Sequence, residues 1–250
     1  MELQRLLSLT RKAIDDYKMI QAGDCIAVGI SGGKDSLTML YALSALRRFY
    51  PEPFTLKAIS VDLGFPEGKE GLKPVESLCE TLNVPFYRVP SEIAEVVFDI
   101  RKESNPCSLC AKLRKGALNT RAKELGCNKV AYAHHKNDIV ETMMLSLIYE
   151  SRFFCFSPVT YLDRMDLTVI RPLMYVDEAD VIGFKNRYKL PVFKNPCPAD
   201  GNTRRQYVKD LIVRLNRENP GCSDRMFSAI LNGHIPGWPE KADPVRNTMH

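Results

Sequence analysis

The stretch Cys25-Ile26-Ala27-Val28-Gly29-Ile30-Ser31-Gly32-Gly33-Lys34-Asp35-Ser36 constrains this chain more than any other. A continuous apolar run of strand length stops at Ser31-Gly32-Gly33, and a helix-like pattern of Leu37, Met39, Leu40, Leu43 and Leu46 begins at once. A run without alternation suits a strand buried on both faces, as in a parallel sheet. The glycines permit a tight turn and bring backbone N–H groups close to a ligand with no Cβ in the way. The start of the next helix adds unpaired N–H groups and the positive end of a dipole, which makes the turn an anion site. Lys34 contributes a mobile charge, Ser31 and Ser36 contribute hydroxyls, and Asp35 offers a carboxylate to hold a metal ion or orient a nucleophile. The expected anion is phosphate. The spacing is not that of the Walker loop, Gly-x-x-x-x-Gly-Lys-Ser/Thr.

Around this stretch, strand and helix patterns alternate. Leu3, Leu6, Leu7, Ile14 and Tyr17 mark an amphipathic helix over residues 2–21. Strands are expected at Leu56–Asp62, Val84–Val89, Lys129–Ala133 and Leu167–Ile170, with helical patterns over 35–48, 72–83, 91–101, 107–125, 137–149 and 177–189. Such alternation implies an α/β fold, a doubly wound parallel sheet. From Pro191 the pattern changes to a Pro-rich loop, a basic helix and a last helix over 224–231. The reading is therefore a core of residues 1–190, including an N-terminal helix, and a C-terminal helical appendage over 191–250. Ligands of parallel sheets bind beyond the carboxyl ends of strands, which brings Val61 and Asp62 into reach of a nucleotide. Asp62 serves equally well as a loop cap.

At 250 residues, 45% hydrophobic and 26% charged, the chain has the composition of an ordinary globular protein with a sizeable core. Its net charge of +5 permits nucleic-acid contact without demanding it. Met1-Glu2-Leu3-Gln4-Arg5 lacks the layout of a signal peptide, and no apolar run approaches membrane-spanning length. The expectation is a cytoplasmic protein with no membrane partner. In that compartment eight cysteines are poor candidates for structural disulfides, so clustered ones point to metal or redox chemistry.

Asn105-Pro106-Cys107-Ser108-Leu109-Cys110 opens a helix, with Pro suited to its first turn. Cysteines three apart share a helix face, and the N-terminal dipole favours thiolates. Cys197, in Asn195-Pro196-Cys197-Pro198, is the best candidate for a third thiolate. Three thiolates suit a [4Fe–4S] cluster with one open iron, or zinc with His134 or His135 as fourth ligand. A redox pair of Cys107 and Cys110, or three small core residues, are the other readings. Basic residues gather after each cysteine site, at Lys112, Arg114, Lys115, Arg121 and Lys123, and at Arg204, Arg205, Lys209, Arg214 and Arg217. A contact uniting the cysteines would join both clusters in one polyanion groove.

Ser31–Ser36 resembles the pyrophosphate loop of the ATP pyrophosphatases. Together with Cys107-Ser108-Leu109-Cys110, Leu113-Arg114-Lys115-Gly116, His134-His135 with Asp138, Glu141 and Thr142, Ile170-Arg171-Pro172-Leu173, Cys197, Arg205-Gln206 and Lys209-Asp210, the chain resembles the tRNA 2-thiocytidine biosynthesis family. The resemblance implies an enzyme that uses ATP and Mg²⁺ to adenylate C2–O of an anticodon-loop cytidine, after which sulfur displaces AMP. It implies phosphate contacts from Ser31, Gly32, Gly33, Lys34 and Ser36, and nucleotide contacts near Val61, Asp62 and His135. It gives catalytic roles to Asp35, Asp138 and Arg114, and makes Cys107, Cys110 and Cys197 ligands of a [4Fe–4S] cluster. A tRNA, a sulfide or persulfide donor and a homodimer are the implied partners. Ala133 and Asn137 depart from the family's Gly-His-His-x-Asp-Asp, which removes one carboxylate of its usual pair. Phe153, Phe154 and Phe156 form an aromatic loop that could stack on a base or pack in the core.

Overall fold

The computed structural model describes residues 1–65, 71–101, 106–193 and 204–242. Helix α1 (Leu3–Asp16) buries Leu6, Thr10, Ala13 and Ile14, one stripe at helical spacing. Strand β1 (Cys25–Ile30) leads into α2 (Lys34–Leu46), and β2 (Thr55–Val61) is followed by α3 (Lys73–Thr81) and β3 (Phe86–Val89). A π-helical turn covers Glu95–Ile100, closed by an Arg101 N–H donated five residues back to Val96 O at 3.0 Å. Then come α4 (Pro106–Glu124), β4 (Lys129–Ala131), α5 (Lys136–Tyr149), β5 (Val159–Leu162), β6 (Leu167–Ile170) and α6 (Glu178–Arg187). Helices α7 (Arg204–Glu218) and α8 (Cys222–Asn232) complete the order.

The six strands form one sheet in the order β3-β2-β1-β4-β6-β5. All neighbours are parallel except β5 and β6, and Val28 of β1 lies between Ala58 of β2 and Ala131 of β4. From β1 the chain winds outward through β2 and β3, then returns to place β4 on the other side of β1. Strand order thus reverses between β1 and β4, and a crevice opens beyond their carboxyl ends, the binding position of doubly wound sheets. The antiparallel edge strand β5 differs from the sequence expectation, which had only β6 here. Its Tyr161 is 57% exposed, so no buried apolar run marked it.

Alternate residues of the central strands feed two apolar cores. Ile26, Val28, Ile30, Leu56 and Ala58 join α1, α2, α5 and α6 on one face; Ala27, Ile59, Val61 and Val130 join the π-turn and α4 on the other. Each fully buried Ile or Leu contributes about 1.5–3 kcal/mol of transfer free energy. A Cβ at Gly29 would stand 2.8 Å from Leu118 Cδ2, so the missing side chain lets α4 lie close on β1. Val208 and Ile212 of α7 and Phe227 and Ile230 of α8 lie in the first core. After α8 the chain is tied back to the core as far as residue 242. Trp238 meets the Tyr17 ring edge-on, and Ala242 N–H donates to Asp16 O at 2.6 Å.

Candidate active site

Beyond Ile30 the chain turns at Gly32 with φ +80°, a conformation that L side chains rarely adopt, and enters α2 without a side-chain cap. The turn is held from inside. Ser31 N–H donates to Ser36 Oγ at 3.2 Å, Ser36 O–H donates to Gly33 O at 2.9 Å, and Gly33 N–H donates to Ser31 Oγ at 3.3 Å. From outside, Phe193 N–H donates to Gly32 O at 2.9 Å. Lys34 Nζ lies 3.1 Å from both Asp35 carboxylate oxygens and 3.2 Å from Glu178 Oε1, at the start of α6. Burial alone would depress its pKa, but the two carboxylates outweigh burial and hold it above the usual lysine value. Glu178 also takes Lys209 of α7 at 2.7 Å, and these lysines keep its carboxyl below the usual range despite burial.

The second wall comes from the β4–α5 turn. His135 is the N-cap of α5: its Nδ1 accepts Asp138 N–H at 3.3 Å, and its own N–H donates to Asp138 Oδ2 at 3.0 Å. This reciprocal capping box buries His135 to 4% exposure and sets its Nε2 3.6 Å from Asp35 Oδ1. His134, one residue earlier, points to the other side and lines the crevice. Its ring stacks on Phe156 at 4.0 Å and 15°. Arg205 of α7 reaches Glu141 at 2.9 Å, Asp138 at 3.5 Å and Thr142 Oγ1 at 3.2 Å, so the appendage is bonded to the site. Burial, reinforced by Asp138, raises the Glu141 pKa.

Between these walls lies a cavity of about 280 Å³ lined by Gly29 to Ser31, Asp35, Ser36, Ile59, Val61, Arg114, Lys115, Leu118, Tyr132 to His134 and Asp138. It unites six of the residues singled out in the sequence: Ser31, Asp35, Ser36, Val61, Arg114 and Asp138 border it directly. Gly32, Gly33 and Lys34 complete the adjoining turn. Asp62 does not border it; its carboxylate takes Arg88 at 2.6 Å and Gly64 N–H at 3.1 Å, the loop-capping alternative. His135 lies behind the cavity as a cap. The sequence offered His134 only as an alternative zinc ligand and Lys115 only as part of a basic cluster, and it gave no role to Tyr132, Arg171 or Glu178; tertiary contact brings all five to the site. The capping pattern of His135 three residues before Asp138 was the signal that could have released His134 for the cavity.

Helix α4 carries the cysteine pair. Cys107 is exposed and Cys110 half-buried, in its first two turns. Residues 107, 110, 114 and 118 recur at the spacing of one helix face, so both thiols share a face with cavity-lining Arg114 and Leu118. Seven residues of helix put Cys107 about 10 Å along the axis from Arg114. Two thiols on an open helix start, aligned with the cavity, fit a thiolate-held cluster. Cys197, the third expected ligand, lies outside the described residues. Among the described residues no group of three or more His, Cys, Asp or Glu side chains forms a metal site, and no helix is long and apolar enough to cross a membrane.

Residues 5–215 match the PP-loop domain family. The chain is 37% identical to the tRNA-cytidine(32) 2-sulfurtransferase of Pelobacter propionicus, over 92% of this chain and 86% of that one. It is also 37% identical to the enzyme of that name from Cupriavidus metallidurans, over 91% of this chain and 73% of that one. Among solved structures, the U34-tRNA thiolase NcsA from Methanococcus maripaludis with its [4Fe-4S] cluster superposes with a TM-score of 0.73 at 24% identity, covering 89% of this chain and 76% of that one. That likeness establishes the fold. Loop, sheet and sequence agree: the chain belongs to the PP-loop family, in the group of the tRNA-cytidine 2-sulfurtransferases.

Proposed function

We propose that this chain is an ATP-dependent tRNA sulfurtransferase that adenylates the C2 oxygen of a cytidine and exchanges that oxygen for sulfur. The observation that carries the reading is the convergence of the Ser31–Ser36 turn, Asp138 and Arg114 on one cavity, with the Cys107 and Cys110 helix running up to its rim. The naming of the relatives as tRNA-cytidine(32) 2-sulfurtransferases supports the same substrate.

In this reading the Gly32–Gly33 backbone, the start of α2 and the Ser31 and Ser36 hydroxyls hold the ATP phosphates, and Lys34 turns from Asp35 and Glu178 to the transferred charge. Asp35 would hold Mg²⁺. Arg114 lies across the cavity, where it offsets negative charge on the α-phosphate as pyrophosphate leaves. Asp138, fixed by the His135 cap, borders the cavity where the base must enter. Cys107 and Cys110 would hold a [4Fe–4S] cluster with Cys197. Such a cluster, when bound, supplies an iron position for sulfur delivered by a sulfide or persulfide donor. The protein's part is to keep Leu118 and Tyr132 against the reacting centre so that water does not compete. Arg152 over Phe154 at 4.6 Å, Arg204 over Tyr149 at 4.8 Å and a 71% exposed Phe153 offer charge and ring faces suited to an RNA loop. Action in the cytoplasm and as a homodimer belong to the same proposal.

Asn137, standing where the family has a carboxylate, would also suit a nucleotide-binding sensor without turnover. Its amide oxygen accepts Glu178 N–H at 2.9 Å and so caps α6, while Asp138 remains at the cavity. Position 137 thus has a structural task, which favours an intact site over the sensor reading. The decisive test is pyrophosphate release from ATP with and without tRNA, coupled to mass spectrometry of the nucleosides. Release stimulated by tRNA together with 2-thiocytidine is expected; release indifferent to tRNA sinks the proposal.

A further inference from the structure

Arg171, directly after β6, is a buried cation at 7% exposure with no carboxylate partner among the described residues. Its Nη1 donates to Ser157 O and, at 3.2 Å, to Thr160 Oγ1. Its Nε–H donates to His134 Nδ1 at 3.2 Å. A guanidinium has no acceptor, so Nδ1 must carry the lone pair of that bond. Burial pushes the His134 pKa well below its usual value, and Arg171, Lys115, Arg205 and His135 push the same way. A neutral imidazole with a lone pair on Nδ1 carries its hydrogen on Nε2. Nothing in the geometry leaves the ring free to turn. Phe156 stacks flat on it, Tyr132 meets it edge-on at 5.9 Å and 77°, and Arg171 pins Nδ1. The residue lines the cavity shared with Ser36 and Asp138, and Nε2 has no partner among the described residues.

We propose that the Nε2–H of His134, fixed as a donor by Arg171, is a base-reading group that selects cytosine over uracil. The inference rests on the tRNA sulfurtransferase reading and adds to it the means of choosing the base. Beside the reacting C2 position, cytosine presents N3 as an acceptor, whereas uracil presents N3–H. Donor facing acceptor makes a hydrogen bond; donor facing donor leaves two polar groups unpaired in a dry site, the discrimination that polar sites achieve best. The cationic surroundings serve this role by keeping the imidazole neutral, so that the pattern it displays does not change near neutral pH.

The test uses the whole protein and three RNA stem-loops that differ only at the target: cytidine, uridine, and 3-deazacytidine, in which N3 is replaced by C–H. For the wild type, kcat/KM for pyrophosphate release should favour cytidine over both others by about tenfold to a hundredfold. His134→Ala should lose that preference by losing rate on cytidine, and His134→Gln, which keeps an N–H donor, should retain part of it. Nitrogen-15 NMR of the histidines should show His134 neutral with its hydrogen on Nε2 at neutral pH and still neutral at the ordinary histidine midpoint of about pH 6.5. A wild type inactive on every stem-loop overturns the sulfurtransferase reading and this inference together. A wild type that turns over cytidine while His134→Ala keeps the same cytidine-to-uridine ratio overturns the inference alone, as does an Nδ1–H or charged imidazole.

Discussion

The two ends of the cavity are wired in opposite ways. At the loop end each lysine already has a carboxylate: Lys34 holds Asp35 and Glu178, and Lys209 holds Glu178. At the other end Arg114, Lys115 and Arg171 are ion-paired with no carboxylate among the described residues. Their mutual repulsion shows in Lys115, whose pKa burial lowers and the neighbouring Arg171, Arg114 and Arg205 lower further. Part of the compensation is aromatic, with Lys115 Nζ 5.7 Å from the Tyr132 and Phe156 ring centres. The contrast separates two tasks. In the proposed reading, the self-neutralised loop exchanges internal ion pairs for phosphates when nucleotide arrives, whereas the unanswered cationic end meets a ligand that brings its own acceptors.

The strongest way to break this division is to cross the two ends. Lys34→Ala should cut tRNA-dependent pyrophosphate release by about 10²–10³-fold, the cost of losing one charge-stabilising donor. It should leave the visible absorbance of an anaerobically prepared cluster intact. Cys107→Ser with Cys110→Ser should remove that absorbance and the thiolated nucleoside while nucleotide still binds, as read by calorimetry. Loss of both properties in either variant would show that loop and cysteine helix are one inseparable unit.

A smaller effect lies in pH. His134 is neutral in the fold and has an ordinary value of 6.5 when unfolded. Its depressed folded pKa means that the unfolded chain binds the extra proton first. Stability is therefore complete above about pH 6.5 and drains away as pH falls below it, by at most about 1.4 kcal/mol per pH unit from this residue. Thermal unfolding of the wild type from pH 7 to 5 should decline more steeply than that of His134→Gln; parallel curves would place the imidazole in a wetter, less cationic setting.

Glu178→Gln should have the mildest consequence and the most telling sign. Removing the carboxylate that Lys34 and Lys209 share frees Lys34 for phosphate, so ATP should bind a few-fold more tightly, while stability falls by about 1 kcal/mol. Weaker nucleotide binding would mean that Glu178 aims Lys34 and does not compete for it.

The loop end was legible in the sequence because its parts are neighbours along the chain: strand, glycines, lysine and helix start all fall within residues 25–36. The other end was legible only in Arg114 and the basic run around it, because nothing local links His134 to Arg171 or joins Lys115 to Phe156. Those contacts exist only once β4 and β6 lie side by side and α4 crosses β1 at Gly29. The edge strand β5 escaped notice for a related reason: its Thr160 and Tyr161 carry no buried pattern, and pairing with β6 alone makes it a strand. Asp177 was rightly placed at the head of α6, but its side chain makes no cap; it pairs with Lys136 at 3.1 Å while Asn137 caps the helix from across the site.

One consequence of the loop's outer hydrogen bond is mechanical. Phe193 N–H is moored to Gly32 O, and Arg205 is moored to Asp138 and Glu141, so the end of the sheet core and the start of α7 are each tied to a wall of the same crevice. A shift of the Gly32 turn would therefore be felt by backbone far downstream in the sequence.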